Sequence, residues 1–333
     1  MSAAPAPRPA AWRALAEARL DDCADAGLIN HTWLVGSPPR FVVQRVNVLF
    51  KPEVHEDIEA VTAHLAGRAL CTPRLVRTDS GALCAVADDG AAWRVMEFVP
   101  GVTVHKIDSA SRAFEAGALV ARFHAAVDSL EWEYRHVRPG AHDTVAHMQS
   151  LERVVQGGPA LPVAEGILAG WRAWPGSLEH PTRHAHGDLK ISNLRFDEAG
   201  RGLCLLDLDT LSRLSLDVEL GDAWRSWCNP VGEDGLDTRL DLEIFAAAVG
   251  GYRRERSLSP AEIHSLTFAV ERIALELAAR FCRDVVEDRY FGWNATRFES
   301  RPAHNLFRAQ GQLSLARSAA AQRSKIAPLL EGR

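Results

Sequence analysis

Residues 186–193, followed closely by residues 205–209, constrain the fold of this chain more than any other part of its sequence. The first segment reads HGDLKISN and the second reads LLDLD. Between them, residues 197–202 (DEAGRG) are rich in turn formers, and the apolar run 203–206 leads directly into Asp207. This pattern predicts a strand, a tight turn and a second strand. Such a hairpin would bring Asn193 and Asp207 together at its open end.

The polar residues of this hairpin follow the order that phosphoryl transfer to a hydroxyl requires. In the protein-kinase pattern H-R-D-L-x-x-x-N, the Asp accepts the hydroxyl proton, the Asn binds Mg²⁺, and an Asp on the next strand holds metal against the phosphates. The same order occurs here, so Asp188 is predicted to be catalytic, and Asn193 and Asp207 to bind Mg²⁺. The alternative is a polar turn beside an ordinary hairpin, because short motifs also match by chance.

A β-rich region lies upstream, within the first hundred residues. Residues 32–35 and 41–46 are strand-like and are joined by a Gly/Pro turn, which predicts an antiparallel hairpin. Three further strand-like runs (74–77, 83–86 and 93–99) and an amphipathic helix over 52–66 predict a sheet of about five strands with one helix. Pro100 and Gly101 then interrupt the pattern, and mostly helical periodicity follows. This change of composition predicts a boundary between two lobes.

The loop that leads into the first hairpin is a candidate phosphate-binding element. Residues 27–32 read GLINHT, with one glycine where the G-x-G-x-x-G loop of kinases has three. Gly27 allows close backbone approach, and Asn30 and Thr32 are candidate donors to phosphate oxygens. An ordinary loop is an equally good interpretation of these residues.

A basic residue near the end of the second strand is a further candidate for the nucleotide site. Arg45 needs a partner if it lies on an interior strand, because burying an unpaired charge is costly. Kinases pair the equivalent Lys with a helix Glu. The candidates in the predicted helix are Glu56 and Glu59, of which Glu56 is preferred.

The predicted lobe boundary would serve as the hinge of a kinase. There the edge of the adenine ring binds backbone atoms, for which the carbonyl of Glu97 and the amide of Val99 are the candidates.

Several charged residues in the second half of the chain are candidates for binding the acceptor. They are Asp143, Asp209, Asp222, Arg225 and Arg308. Structural roles compete with this interpretation. Asp143 is placed to cap a helix, Asp222 and Arg225 are spaced to form an ion pair, and Arg308 lies near the start of a terminal helix.

Composition narrows the class of protein. A formal charge of −5 over 333 residues gives no electrostatic reason to expect nucleic acid or an anionic membrane as a partner. Six scattered cysteines without a C-x-x-C pair are typical of a reducing compartment and argue against structural zinc. The Ala/Pro-rich first ten residues lack an apolar signal segment, and no apolar run approaches a membrane span. These features predict a cytoplasmic protein, most simply a monomer.

The hairpin HGDLKISNLRF, the segment LCLLDLDT and the β-rich region with Arg45 together resemble the aminoglycoside phosphotransferase and choline kinase superfamily. Within it, the chain looks most like the N-acetylhexosamine 1-kinases. That similarity is carried by GLINHTWLV (27–35), FVVQRVN (41–47), FEAGALVARFH (114–124), GAHDT (140–144), LLDLDT (205–210), LGDAWRSWCN (220–229) and HNLFRAQGQL (304–313). One departure from the superfamily pattern is Arg45, which stands where Lys is usual and keeps the charge.

The resemblance implies an α+β, bilobal protein-kinase-like fold that uses ATP and Mg²⁺. The expected parts are a flexible leader (1–10), a β-rich N-terminal lobe (11–96), a hinge (97–101) and a helical C-terminal lobe (102–333). The implied reaction transfers the γ-phosphoryl group of ATP to the anomeric hydroxyl of an N-acetylhexosamine, giving the sugar 1-phosphate. The alternatives are another acceptor, such as an aminoglycoside, an amino alcohol or another sugar, or a non-catalytic nucleotide- or sugar-binding protein.

Overall fold

The strands of the first hundred residues form one antiparallel sheet. The computed structural model describes residues 11–15, 18, 20–22, 30–138 and 140–333. The sheet order is β1-β2-β3-β6-β4, and β5 pairs with the start of β6. The strands are β1 (Leu20–Asp22), β2 (His31–Val35), β3 (Phe41–Arg45), β4 (Leu75–Val76), β5 (Ala85–Val86) and β6 (Ala92–Glu97). The sequence-based prediction of an antiparallel sheet with one helix, α1 (Val54–Ala66), is confirmed.

The two faces of this sheet pack against different partners, because successive side chains of a strand point to opposite sides. On the outer face, Val43 and Val95 pack with Trp12 and Leu15 in a small apolar cluster. On the inner face, Val46 and Ala92 join α1 in the main core. The inner face therefore meets the rest of the molecule.

Helices make up most of the chain after residue 109, as the 3.6-residue periodicity predicts. Ser109 accepts a hydrogen bond from the Arg112 backbone at the start of α2, and Ser259 forms a capping box with Glu262 at the start of α7. The helices are α2 (Ala110–Val127), α3 (Thr144–Val154), α4 (Leu161–Ala173), α5 (Leu216–Trp227), α6 (Leu242–Glu255), α7 (Pro260–Thr267), α8 (Ala269–Glu287), α9 (Arg301–Ala321) and α10 (Arg323–Glu331). None of the described helices is long and apolar enough to cross a membrane.

Helix α2 lies at the centre of the helical lobe. It crosses α6 so closely that a Cβ atom on Gly251 would lie 1.8 Å from the Phe114 carbonyl oxygen. Another side of α2 meets the hairpin that follows Asn193, where a Cβ on Gly202 would lie 2.7 Å from the Glu115 carbonyl oxygen. These close approaches fix the hairpin against the core.

The predicted hairpin is present. Strands β9 (Leu194–Phe196) and β10 (Gly202–Leu205) are antiparallel, and β7 (Val102–Thr103) extends this small sheet beside β9. A second small sheet pairs β8 (Thr182–Ala185) with β11 (Ser212–Ser215), which places residues 186–193 next to residues 207–210. The α+β fold with an antiparallel N-terminal lobe and a helical C-terminal lobe is therefore confirmed.

Candidate active site

The turn at residues 186–188 is folded tightly against the start of the second acidic segment. Gly187 has a φ of 81°, and a Cβ on this residue would lie 2.4 Å from the Thr210 carbonyl oxygen. The His186 ring contacts the Leu206 carbonyl oxygen at 2.8 Å through Nε2, and the Asp188 amide donates to His186 Nδ1 at 3.3 Å. The tight turn therefore requires glycine, and the imidazole ties both acidic segments together.

A buried carboxylate of α5 holds the same turn from behind. Glu219 accepts hydrogen bonds from the backbone amides of His186 (2.7 Å) and Gly187 (3.0 Å). Burial by itself would raise the pKa of Glu219, but the contact with His124 and the bonds to His186 outweigh burial and lower it. No sequence pattern indicates this role, because the partners are more than thirty residues apart.

Asp188 lies between a cation and an amide. Its Oδ2 atom is 2.7 Å from Lys190 Nζ and accepts a hydrogen bond from Asn193 Nδ2 at 3.1 Å. The same amide nitrogen donates to the Asp188 carbonyl oxygen at 2.9 Å. Partial burial tends to raise the pKa of Asp188, but the Lys190 ammonium and the Asn193 amide hold it below its usual value. Asp188 is therefore a carboxylate at neutral pH, and its side chain is 28% exposed.

Asp207 begins the second acidic segment in the left-handed region of backbone space, with a φ of 60°. Its Oδ2 atom lies 4.0 Å from Lys190 Nζ, so one ammonium group faces both Asp188 and Asp207. Burial and the charges of Asp209 and Asp188 raise the pKa of Asp207 to about 6, although Lys190 acts in the opposite direction. A carboxylate crowded by other carboxylates is well suited to bind a cation.

The oxygen atoms of this site fit Mg²⁺. Because the amide nitrogen of Asn193 is bound to Asp188, the side-chain oxygen is the atom left to face a metal. The Leu206 amide donates to the Asn193 carbonyl oxygen at 2.8 Å, which brings Asp207 beside Asn193. Among the described residues, no three His, Cys, Asp or Glu side chains are grouped to hold a metal. This is compatible with Mg²⁺, which uses one or two carboxylates and takes its other ligands from phosphates and water.

The buried cation of the sheet is Arg94 on β6. Its guanidinium forms a two-pronged ion pair with Asp209, with Nη2 2.9 Å from Oδ2 and Nη1 bonded to Oδ1. Both side chains are 1% exposed. Its Nε also donates to Gln44 Oε1 at 2.8 Å. Arg94 therefore connects the inner face of the sheet to the acidic segment that contains Asp207.

The predicted ion pair between Arg45 and Glu56 is wrong. Arg45 instead contacts Asp89 at 2.5 Å on the protein surface, where their side chains are 37% and 56% exposed. Glu56 is exposed on α1, and Glu59 binds Arg77 at 2.8 Å. The error arose from strand geometry, because neighbours on a strand face opposite sides and Gln44 is the residue that faces inward.

The other predicted nucleotide residues fall into two groups. Asn30 donates to Asp209 Oδ2 at 2.7 Å, and the Thr32 hydroxyl accepts from Gln44 Nε2 at 3.0 Å. Both therefore lie beside the Arg94–Asp209 pair. Gly27 lies outside the described residues, as does the predicted leader.

At the predicted hinge, Glu97 ends β6 opposite Phe41, and the Val99 carbonyl oxygen accepts from Arg195 Nε at 3.1 Å.

The structure gives most of the acceptor candidates a structural partner. Asp143 caps α3 by accepting from the Ala146 amide at 3.0 Å, and Arg308 pairs with Asp234 at 2.7 Å. Asp209 is committed to Arg94.

Asp222 is the acceptor candidate whose charge acts on Lys190, the cation beside Asp188. It pairs with Arg225 at 2.9 Å, and Arg225 also contacts Glu233 at 2.9 Å. Burial tends to lower the pKa of Lys190, but Asp188, Asp207 and Asp222 outweigh burial and raise it.

Sequence reasoning missed three functional candidates: Lys190, Arg94 and Glu219. Lys190 is the single basic residue of HGDLKISN, and Arg94 interrupts an apolar strand, so both carried a readable signal. Arg94, not Arg45, is the charged residue of an interior strand that needs a buried partner.

A sheet lobe over a helical lobe, with an acid–amide–acid hairpin at their junction, defines a kinase-like phosphotransferase. The sequence pattern of the phosphotransferase enzyme family matches residues 24–258. The chain therefore belongs to this family. No match was found among curated protein sequences.

Solved structures share the fold across nearly the whole chain. An amicoumacin kinase in complex with AMP-PNP, Ca²⁺ and Ami is 13% identical with a TM-score of 0.59, covering 89% of this chain and 87% of its own. A microcompartment-associated aminopropanol kinase is 16% identical with a TM-score of 0.61, covering 94% and 95%. An aminoglycoside phosphotransferase from Alicyclobacillus acidocaldarius is 15% identical with a TM-score of 0.60, covering 92% of each chain.

Proposed function

We propose that this protein transfers the γ-phosphoryl group of ATP to the anomeric hydroxyl of an N-acetylhexosamine. The observation that carries the proposal is the position of the Asp188 carboxylate, which is bound by Lys190 and Asn193 beside Asp207. The acceptor class is supported by the segments 140–144, 220–229 and 304–313, which resemble those of the N-acetylhexosamine 1-kinases.

In the proposed reaction, Asp188 orients the sugar hydroxyl and takes its proton as the new O–P bond forms. The lowered pKa makes Asp188 a weak base, which suits a loose transition state in which the proton leaves late. Lys190 lies next to Asp188 and offers positive charge to the transferred group. Asn193 and Asp207 would hold Mg²⁺, which when bound neutralises charge on the phosphates.

On the nucleotide side, we propose that the backbone of Glu97 and Val99 binds the adenine ring. Asn30 and Thr32 would line the phosphate end of the same cleft. Arg94 lies on the inner face of the sheet and holds Asp209, two residues beyond Asp207, so its role in the cleft is to position the acidic segment.

Substitution of Asp188 tests the chemistry. Asp188→Asn keeps the shape and removes the proton acceptor, so we expect kcat to fall by roughly 10²–10⁴-fold while ATP affinity changes little. Asp197→Asn is the matched control, because Asp197 is a carboxylate in the distal turn of the same hairpin, where it pairs with Arg201 at 2.8 Å. The measurements are ATP turnover with sugar and ATP binding by calorimetry. Unchanged kcat in Asp188→Asn would remove Asp188 from the mechanism.

The acceptor is tested separately with a panel of N-acetylglucosamine, N-acetylgalactosamine, free hexosamines, choline and an aminoglycoside. We expect the highest kcat/KM for an N-acetylhexosamine and a product that no longer reduces, because its anomeric oxygen carries phosphate. A product that still reduces would exclude 1-phosphorylation, and preference for choline or the aminoglycoside would redirect the acceptor assignment.

A further inference from the structure

Two cysteines from different lobes meet behind the catalytic hairpin. Cys71 lies in the segment that connects α1 to β4, and Cys204 lies in β10, three residues before Asp207. Both line one small cavity of about 20 Å³, together with Leu70, Thr72 and residues of α2. Each thiol lies close enough to shift the pKa of the other. The two sulfur atoms are therefore neighbours across the junction between the lobes.

The two thiols differ in the way that thiol–disulfide chemistry requires. Cys71 is exposed, and the neighbouring Cys204 thiol lowers the pKa of the Cys71 thiol to about 7, against the opposing effect of burial. Cys204 is 1% exposed, and its pKa is raised. Cys71 thus supplies an accessible thiolate, which is the reactive form of cysteine, and Cys204 supplies a protected second thiol.

The other described cysteines lack this combination of exposure and a lowered pKa. Burial raises the pKa of Cys84, Cys228 and Cys282. Cys228 and Cys282 are fully buried, so an oxidant cannot reach them in the folded protein. Among the cysteines that the structure describes, Cys71 is therefore the one with both the access and the ionisation needed to react first.

The segment that carries Cys71 has room to adjust. Within the described part of the chain, no hydrogen bond engages the backbone of residues 71–73. The shared cavity of about 20 Å³ holds about one water molecule, which leaves space beside both cysteines. Disulfide formation needs the two sulfurs to come within bonding distance, and this segment allows that shift without breaking a helix or strand.

We propose that Cys71 and Cys204 are a peroxide-reactive pair that closes into a reversible disulfide between the lobes. In the first step, the Cys71 thiolate attacks hydrogen peroxide; the O–O bond breaks, and the thiolate becomes a sulfenic acid while hydroxide leaves and is protonated to water. In the second step, the Cys204 sulfur attacks the sulfenic sulfur, the S–S bond forms, and a second water leaves with the Cys204 proton. Two thiols are oxidised by two electrons, and one peroxide is reduced to two waters.

The disulfide would join the end of the α1 region to the strand that leads into Asp207. A covalent link there restricts movement between the sheet lobe and the catalytic hairpin. Oxidation of the pair would therefore change how freely the reaction centre moves. Formation of the disulfide does not depend on which substrate the protein phosphorylates.

The test treats the full chain with hydrogen peroxide, followed by denaturation, thiol alkylation and mass spectrometry of the digest. We expect a peptide that joins Cys71 to Cys204 and is lighter by two hydrogens than the sum of its parts, with neither residue alkylated and both recovered after dithiothreitol. Cys84→Ser and Cys23→Ser are the matched controls and should form the same link.

Two variants separate the steps. Cys71→Ser replaces an exposed residue and should leave Cys204 fully alkylated after peroxide treatment. Cys204→Ala should leave Cys71 as a sulfenic acid that dimedone captures. The proposal is overturned if the wild-type protein keeps Cys204 as a free thiol after Cys71 has been oxidised. It is also overturned if Cys71 becomes linked to a different cysteine.

Discussion

Asp207 combines two unfavourable features in one residue. It is a non-glycine residue at a φ of 60°, and its carboxylate lies near those of Asp188 and Asp209, which help to raise its pKa to about 6. Local strain and like-charge repulsion of this kind persist only where the surrounding structure enforces them, and they concentrate at functional sites. The free energy of unfolding is therefore lowered by the residue at which a cation is expected to bind.

Asp207→Asn should consequently stabilise the protein while removing the proposed metal-dependent activity. Asn tolerates the left-handed backbone, and its neutral amide relieves the repulsion. We expect the free energy of unfolding at pH 7 to rise by on the order of 1 kcal/mol, a value discounted because the side chain is 33% exposed. Thermal unfolding without nucleotide measures this gain. A lower Tm than the wild-type protein would show that the Asp207 charge stabilises the fold.

A second measurement separates the metal role from the stability effect. With Mg²⁺ and ATP added, we expect Tm to rise clearly in the wild-type protein and little in Asp207→Asn, because a ligand stabilises the state that it binds. An equal rise in both proteins would remove Asp207 from the metal site.

The sequence predicted best what is local in the chain. Asp188, Asn193 and Asp207 lie within twenty residues on one hairpin, so spacing and strand pattern are enough to place them together. Arg94 and Asp209 are 115 positions apart, and no local pattern reports such a contact. The Arg45 prediction failed because Arg45 faces the outer side of the sheet. Its neighbour Gln44 faces the inner side, since successive side chains of a strand point to opposite faces.

The same distinction holds for elements. Strand alternation and helical periodicity located the sheet and α1, because each pattern repeats within a few residues. The distance between two packed helices could not be predicted from the sequence, because it depends on which glycine of one helix faces the backbone of the other. The crossing of α2 and α6 is such a case, because Gly117 would place a Cβ 2.0 Å from the Ala248 carbonyl oxygen.

Two adjacent glycines of α6 allow this crossing to be tested. Gly251→Ala would put a methyl group 1.8 Å from the Phe114 carbonyl oxygen, so the helices must separate. We expect a loss of about 1–3 kcal/mol or more in the free energy of unfolding. Gly250→Ala is the matched control, because its Cβ would meet only the Phe114 ring at 3.7 Å. Alanine also favours the helix there by up to about 1 kcal/mol.

Urea denaturation of both variants measures the difference. Equal stabilities would mean that α2 and α6 are not held by the close backbone approach at Gly251. Activity should follow stability in Gly251→Ala, because α2 also supports the hairpin that carries Asn193.

At the scale of the whole molecule, buried polar contacts join the two lobes. Asp57 on α1 accepts hydrogen bonds from Trp132 Nε1 and from the backbone amides of Arg135 and His136, at 2.8–2.9 Å. Arg94 and Asp209 form the ion pair between β6 and the segment after Asp207. A buried ion pair adds little net stability over apolar residues, but it imposes one geometry on the groups that it joins. Here that geometry sets the position of the acidic segment beneath the sheet.

Breaking this pair from either side should therefore be costly. Arg94→Met leaves the Asp209 carboxylate buried without its cation, and Asp209→Asn leaves the guanidinium without its anion. We expect each single change to lower the free energy of unfolding by about 3–5 kcal/mol. Removing both charges together should cost less than the sum of the two, because no uncompensated charge remains. Guanidinium denaturation of the four proteins gives the coupling energy directly.

The surface pair of Arg45 and Asp89 provides the control for this cycle. It has similar chemistry at 2.5 Å, but both side chains are more than a third exposed, so Arg45→Met should change stability by less than about 1 kcal/mol. If Arg45→Met proved as damaging as Arg94→Met, the cation that matters to the fold would be the one on β3. Additive losses in the double variant would instead show that Arg94 and Asp209 stabilise the lobes independently, and the buried pair would no longer explain how the sheet positions Asp207.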